Sequence, residues 1–478
     1  MARTAVTKAA GMTSGPAFHI NAREFFTTQR PSREQRRAQG LEQRTKTPVA
    51  DLGRLPDPGS RRDALQILHA QDAARIPELV PLRYERMSAN AFAFLRGSAA
   101  VMASDLSLVP TSGIRVQLCG DAHIANFGMF ASPERTLVFD VNDFDETLPG
   151  PFDWDVRRLV ASAAVAARES GFSDKKARRV AREAASVYRQ VIAILADQDT
   201  LDVWNVQLGV DEVLAQLRKG PVRSAFEQAR KRAAKGTSAR ATAKLTAQVD
   251  GQRRFVSDPP LVHTVPDDIR PMVVEKLARA YESYLRTIPP DRAALLSLYS
   301  FVDVAQKVVG VGSVGTLAPV MLLESGDGEP LILQMKQAGA SVLEPYLGAS
   351  KFTAHGERVA VGQRVMQASS DPFLGYLHAD DNGERVDMYI RQLKDMKGSV
   401  DIGALDATSL AQYSGVCAAA LARAHARVGD SAMIASYLGD SDEFDEAMAD
   451  FAIGYADINQ ADFGALLAER TPQQPTTT

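Results

Sequence analysis

Residues 119–127 read Cys-Gly-Asp-Ala-His-Ile-Ala-Asn-Phe, and residues 139–146 read Phe-Asp-Val-Asn-Asp-Phe-Asp-Glu. Each adjoins a short apolar-alternating run, Ile114–Cys119 before the first and Thr136–Val141 leading into the second, so both read as loops at strand ends. Asp121 precedes Asn126 by five residues. At that spacing a carboxylate can meet a hydroxyl while an amide oxygen, one turn later, reaches a hard cation. The acidic run supplies a second carboxylate for the same cation. Asp143, followed by Phe144, suits that role best and Asp145 second, while Asp140 faces away along its strand. His123 has no partner motif and reads as a hydrogen bonder bracing the loop. Asp and Asn also fill turns that have no chemistry. The pattern gains weight from the acidic strand end and from the helix that follows, where Pro149 and Pro151 precede Trp154-Asp-Val-Arg-Arg158. Asp155 reads there as a structural cap near the loop.

A second motif stands far downstream. Gly310-Val-Gly-Ser-Val-Gly315 lies between two strand-like runs, with no helix close behind it, which disfavours a dinucleotide-binding βαβ unit. On a hairpin, Gly310, Gly312, Ser313 and Gly315 would let backbone N–H groups approach phosphates without obstruction. Farther on, Leu331-Ile-Leu-Gln-Met-Lys336 ends an apolar strand in a lysine. Period two puts Leu331, Leu333 and Met335 on one face and Ile332, Gln334 and Lys336 on the other. A lysine at the end of such a strand calls for an anionic partner. Glu344 is the preferred carboxylate and Glu357 the alternative.

Around these motifs the texture of the chain changes. Residues 1–60 read as an arm, partly irregular, with a basic excess from Arg23 to Lys46. Residues 61–300 read as a helical body carrying the two loops, including a helix from Ser173 towards Ala196 and further helices over 211–235 and 267–287. Residues 301–395 read as a small sheet, with strands at Val304–Val309, Pro319–Leu323, Leu331–Lys336, Phe373–His378 and Val386–Leu393 and one helix over His355–Ala368. Residues 396–470 return to helix, and 471–478 read as a disordered tail. The run from Arg218 to Arg254 holds eleven Lys or Arg against two acids, yet lacks the aromatic residues of a single-strand binder. It reads as a solvated helix face.

Taken together, GDAHIANFG, FDVNDFDETLPGPFDWDVRRL, VGVGSVGT and QMKQAGASVLEPYLG resemble the bacterial domain-of-unknown-function 2252 family, from about Arg61 to near Leu467. That resemblance implies an α+β, protein-kinase-like, two-lobed fold, similar to aminoglycoside and choline phosphotransferases. In those enzymes the loop reads H-G-D-x-H-x-x-N, and here Cys119 takes the first position. The order of parts departs from ordinary kinases, since Asp121, Asn126 and Asp143 precede the glycine loop and Lys336. A circular permutation accounts for this order, with the helix over Leu410–His425 in the place of the one that normally leads into the catalytic loop. The expected site has Asp121, Lys336 and Glu344 as catalytic residues, Gly310, Gly312, Ser313, Gly315 and Lys336 around ATP, and Asn126 with Asp143 on Mg2+.

Composition narrows the partners. A net charge of −3 over 478 residues provides no global field for nucleic acid or acidic lipid. Two cysteines, Cys119 and Cys417, exclude an internal disulfide framework or a four-thiolate zinc site. With no apolar run of membrane length, the expectation is a cytoplasmic protein acting on ATP and a small-molecule or protein acceptor, its oligomeric state unread. Transfer of AMP to a protein, a nucleotide-binding scaffold with little turnover and a nucleic-acid binder are the competing readings.

Overall fold

The computed structural model describes residues 22–470 except 309, 311, 313, 382, 383, 394 and 395. It is a mixed α+β protein in which small antiparallel sheets are set against a large helical body. The helical core forms around Phe152–Glu169, whose residues are buried from Phe152 to Ala167. Its alanine-rich sequence lets Asp174–Ala196, Ala407–Val428 and Glu443–Arg470 pack closely around it, because small side chains bring helix axes together. Ser173 stands at the N-cap position of the second of these helices, though its hydroxyl makes no capping bond. Among the described residues no helix is long and apolar enough to cross a membrane.

The arm expected to be partly irregular contains a well-capped helix, Arg33–Lys46. Ser32 and Gln35 exchange side-chain-to-backbone bonds in a capping box. Gly40 lets this helix lie against Ser431–Leu438, where a Cβ would collide with the Met433 carbonyl. Arg36 pairs with Asp430 at 3.1 Å, and Val49 and Leu52 are fully buried just beyond the helix. Charge composition alone could not show that this basic segment faces acids some four hundred residues away in sequence.

The five strands read from the sequence are present in one antiparallel sheet, in the order Gly375–Asp381, Glu384–Gln392, Pro330–Gln337, Pro319–Ser325, Tyr299–Lys307 and Val262–Thr264. The sixth strand and the helices Arg270–Leu285 and Pro290–Leu296 come from before residue 301. Ala280, Tyr284 and Leu296 pack with Leu331, Leu333 and Met335 on one face. On the other, Ala241, Phe255 and Val262 pack with Ile332, Val320 and Leu322. Residues 241–296 therefore contribute to both layers covering the sheet, and the packing boundary falls earlier than the change of texture at 301. In the basic run, Arg223 pairs with Glu227, Arg230 with Asp211, and Arg253 with Glu324, so part of its charge is paired within the fold.

Two small hairpin ladders position the loops. Arg115–Leu118 pairs with Leu148–Pro151, and Phe127–Ala131 with Leu137–Val141. Both pairings are antiparallel, so residues 119–126 and 142–147 run side by side across the open ends of the ladders.

Candidate functional site

The two loops are stitched at several points. Asn142 N–H donates to the Asn126 carbonyl at 2.9 Å. Gly120 has a φ of +86°, and a Cβ there would strike the Glu146 carbonyl, so glycine meets both the backbone and the space requirement. Asp155, at the start of the central helix, accepts the N–H groups of Cys119 at 2.8 Å and Gly120 at 3.0 Å. His425 lies 3.2 Å away on its other side. Asp155 is thus a backbone anchor for the loop. Asp140 forms a buried bidentate pair with Arg423, away from the cleft.

A cleft of about 640 Å³ opens between this loop pair and the sheet. Asp121, His123, Asn126, Asp143, Asp145 and Glu146 line one wall, and Gly310, Gly312 and Gln337 approach from the sheet side. Lys336, only 2% exposed, reaches across to Asp145 at 2.6 Å and to Asp143 at 3.4 Å. Tyr389 O–H donates to the other oxygen of Asp145 at 2.6 Å. The motif residues Asp121, Asn126, Asp143, Gly310 and Gly312 therefore share one cleft, with Lys336 reaching its acidic wall. Ser313 lies outside the described residues.

Glu344 does not meet Lys336. It opens the short helix Glu344–Leu347, where its Oε1 accepts the Ser341 N–H at 3.1 Å and lies 4.0 Å from Arg358 Nε. Glu357 stands beside Tyr376, whose hydroxyl is pushed up by burial and by that carboxylate. The lysine's partners are Asp145 and Asp143, because the end of the interior strand Pro330–Gln337 lies on the 142–147 loop, whereas Glu344 is held back by the Ser341 N–H and faces Arg358. Proximity in sequence favoured Glu344; the tertiary contact favours Asp145.

Electrostatics follow from this crowding. Burial alone would discharge Lys336, but Asp143 and Asp145 outweigh it and hold the ammonium above its usual range. Burial would also raise Asp145, yet the charge and hydrogen bond of Lys336 and the Tyr389 hydroxyl hold it below the usual carboxylate range. Asp143 moves the other way, raised by burial and by Asp145 beside it. Glu146 is pushed up to about 7 by burial, against the pull of Arg358. Lys397, on the cleft wall, is pushed down to about 7 by burial and by Arg391.

Asn126 donates its amide hydrogens to the carbonyls of Asp121 and Asp143, each at 3.0 Å. That arrangement leaves its amide oxygen for the cleft. Among the described residues, no group of three or more His, Cys, Asp or Glu is arranged to hold a metal ion by itself. Asn126 and Asp143 fit magnesium in a narrower sense, since that ion is commonly held by one or two protein oxygens and completes its shell with phosphate and water.

Several lining or clamping residues were not assigned roles from sequence. Arg158, in the quoted WDVRR motif, donates from Nε to Asp121 Oδ1 at 2.8 Å. Arg358 holds the carbonyls of Thr147, Asp145 and Gly339, each at 2.8 Å, and so ties the acidic loop to the segment after Lys336. Arg391 holds the Asn142 carbonyl at 3.0 Å. Arg75 and Arg86, from the helical body, hold the carbonyls of Val314 and Gly310 in the glycine loop. Isolated arginines carry no sequence signal for such contacts, because each depends on a partner placed only by folding.

A family model for uncharacterised proteins conserved in bacteria, domain of unknown function 2252, matches residues 75–469. The chain belongs to that family. The match spans both loop motifs, the glycine loop and Lys336, so the cleft lining is family sequence apart from Gln71 and Ala74. Neither a curated protein nor a solved structure matches the chain.

Proposed function

We propose that this member of the family is an ATP- and magnesium-dependent phosphotransferase on a circularly permuted, protein-kinase-like fold, acting on an acceptor hydroxyl. The observation that carries the reading is the meeting of Lys336 with the Asp143–Asp145 loop across a cleft that also holds Asp121, Asn126 and two loop glycines. Lys336 and Asp145 are 191 residues apart along the chain. Permutation is supported by the order of these parts in the chain together with their common cleft.

In this reading Lys336 holds the α- and β-phosphates, and the glycine loop covers them. Asn126 and Asp143 hold magnesium, which neutralises charge on the phosphates. Asp121 is fixed by Arg158 and lines the cleft, where it can orient the acceptor and take its proton. The acceptor oxygen bonds to the γ-phosphorus, the bond from that phosphorus to the β–γ bridging oxygen breaks, and ADP leaves. Nucleotide binding requires the lysine to exchange part of its carboxylate contact for phosphate, and its ammonium is already charged for that.

The test is a product assay paired with calorimetry. With ATP and magnesium the wild type should form ADP, with a candidate acceptor pool or slowly with water. Asp121→Asn keeps size and hydrogen-bonding capacity but loses the charge and most of the basicity. It should bind ATP nearly as well and turn it over about 10²-fold more slowly or worse. Equal turnover in the two proteins removes Asp121 from the chemistry. Release of pyrophosphate with AMP left on a protein would replace phosphoryl transfer by AMP transfer at the same site.

A further inference from the structure

Arg96 ends the sequence Phe-Ala-Phe-Leu-Arg96 in the helix Ala91–Gly97 and lines the cleft beside Asp121 and His123. Its Nε is buried and has no hydrogen-bond partner, and among the described residues no carboxylate forms an ion pair with it. Asp121 is the acid whose charge acts on it, but Asp121 Oδ1 is already taken by Arg158. A guanidinium carries five donors, and keeping one half-dry without a partner is costly. Two more polar atoms of the cleft lining lack a hydrogen bond, although each side chain stands near a carboxylate. His123 Nδ1 is buried and unpartnered while its Nε2 lies 3.6 Å from Asp121, and Arg75 Nε is buried 4.0 Å from Asp72 while its Nη1 holds the Val314 carbonyl.

These three groups sit on the helical-body side of the cleft, with Asp121, while Lys336, Arg391 and Lys397 serve the acidic-loop side. The wall at Asp121 therefore has cationic donors in excess of its own acceptors. We propose that the acceptor is a small hydroxylated oxyanion, a phosphate ester or a carboxylate, whose anionic group is bound by Arg96 with Arg75 while its hydroxyl meets Asp121. The assignment of this molecule as acceptor rests on the phosphotransferase reading; its binding as an anion does not. A planar guanidinium with free donors recognises two oxygens of such a group at once, and a neutral polyol cannot repay the same desolvation.

The experiment is calorimetry on the full chain with glycerol 3-phosphate, D-glycerate and glycerol, with and without magnesium and a non-hydrolysable ATP analogue. At millimolar concentrations one or both anions should bind and glycerol should not, and comparison of the two anions tells phosphate from carboxylate. Arg96→Ala should weaken the bound anion by about tenfold or more, with Arg96→Lys intermediate because it keeps charge but loses the fork. Affinity for the ATP analogue should change by less than about threefold. Arg96 makes no bond that the fold depends on, so both variants should melt close to the wild type, and the lysine variant preserves the test if alanine does not. The proposal is overturned if neither anion binds, if glycerol binds as well, or if Arg96→Ala leaves the anion untouched. It is also overturned if the variant weakens the ATP analogue equally, because the arginine then serves the nucleotide. Anion binding through Arg96 without any analogue binding would sink the nucleotide reading and leave the anion site standing.

Discussion

Replacing Lys336 with methionine keeps a buried stem of similar length over the Tyr389 ring and removes only the ammonium, which lies 5.3 Å from that ring. Asp145 and Asp143 then face each other in the cleft without their lysine. Removing one partner of a buried pair costs about 3–5 kcal/mol. The two aspartate side chains are 28% and 39% exposed, so cleft water takes up part of the uncompensated charge. The expected loss at pH 7 is accordingly about 2–3 kcal/mol of unfolding free energy. The pH dependence has a definite sign. In the wild type Asp145 is held below its unfolded value, so its contribution is present above that value and fades as pH falls through the folded one. In the variant burial is opposed by the Tyr389 hydroxyl and by Arg391 but no longer by the lysine, so both carboxyls rise and each gains relative stability by taking a proton. The difference between wild type and variant should therefore shrink as pH falls from about 7 to about 5. Adding Asp145→Asn to the methionine variant should recover about 1–2 kcal/mol, because the uncompensated charge is removed. Urea unfolding monitored by circular dichroism at several pH values measures all four proteins of this cycle. A loss under about 0.5 kcal/mol at pH 7, or strictly additive single and double variants, would refute the buried pair as drawn.

Two further outcomes follow from the same wall. ATP with magnesium should raise thermal stability, by about 2.7 kcal/mol at a hundredfold excess over its dissociation constant, and Asp143→Ala should abolish the magnesium-dependent part; an unchanged magnesium effect in differential scanning fluorimetry takes Asp143 out of the metal site. Glu146 has a folded pKa raised from 4.5 to about 7, so it stabilises the fold below its unfolded value and loses that contribution as pH rises through 7. Glu146→Gln keeps an acceptor for the Val342 N–H and should gain on the wild type between pH 5 and pH 8 in roughly the manner of a single titration; parallel stability curves over that range would show that Glu146 is ionised throughout.

Local spacing made much of this molecule readable. Strand alternation located five strands of the sheet, since each strand presents one face to an apolar layer and the side-chain period is two. Asp121, Asn126 and Asp143 could be singled out because turn spacing and a strand end determine which side chains face one point. The lysine at the end of an apolar strand signalled a buried anionic partner, for burial of an unpaired charge is too costly to leave unexplained. The identity of that partner was not readable. Glu344 was close in sequence, but the contact of the end of the interior strand Pro330–Gln337 with the 142–147 loop selected Asp145, 191 residues away.

The same limit applies to the N-terminal segment and to the arginines. Arg33–Lys46 looked like a basic, partly irregular arm because its glycine and its arginines make sense only against the distant segments they meet, although its Ser32–Gln35 capping box is local. Arg96, Arg158 and Arg358 differ little as sequence, yet one lines the cleft with its Nε unpartnered among the described residues, one fixes Asp121 and one ties two loops together. By itself the sequence determined the elements and the chemistry-bearing residues, because periodicity and turn geometry are local. Tertiary structure alone decided which charges pair and which stay open to a ligand, because those energies depend on distance and burial between segments far apart in the chain.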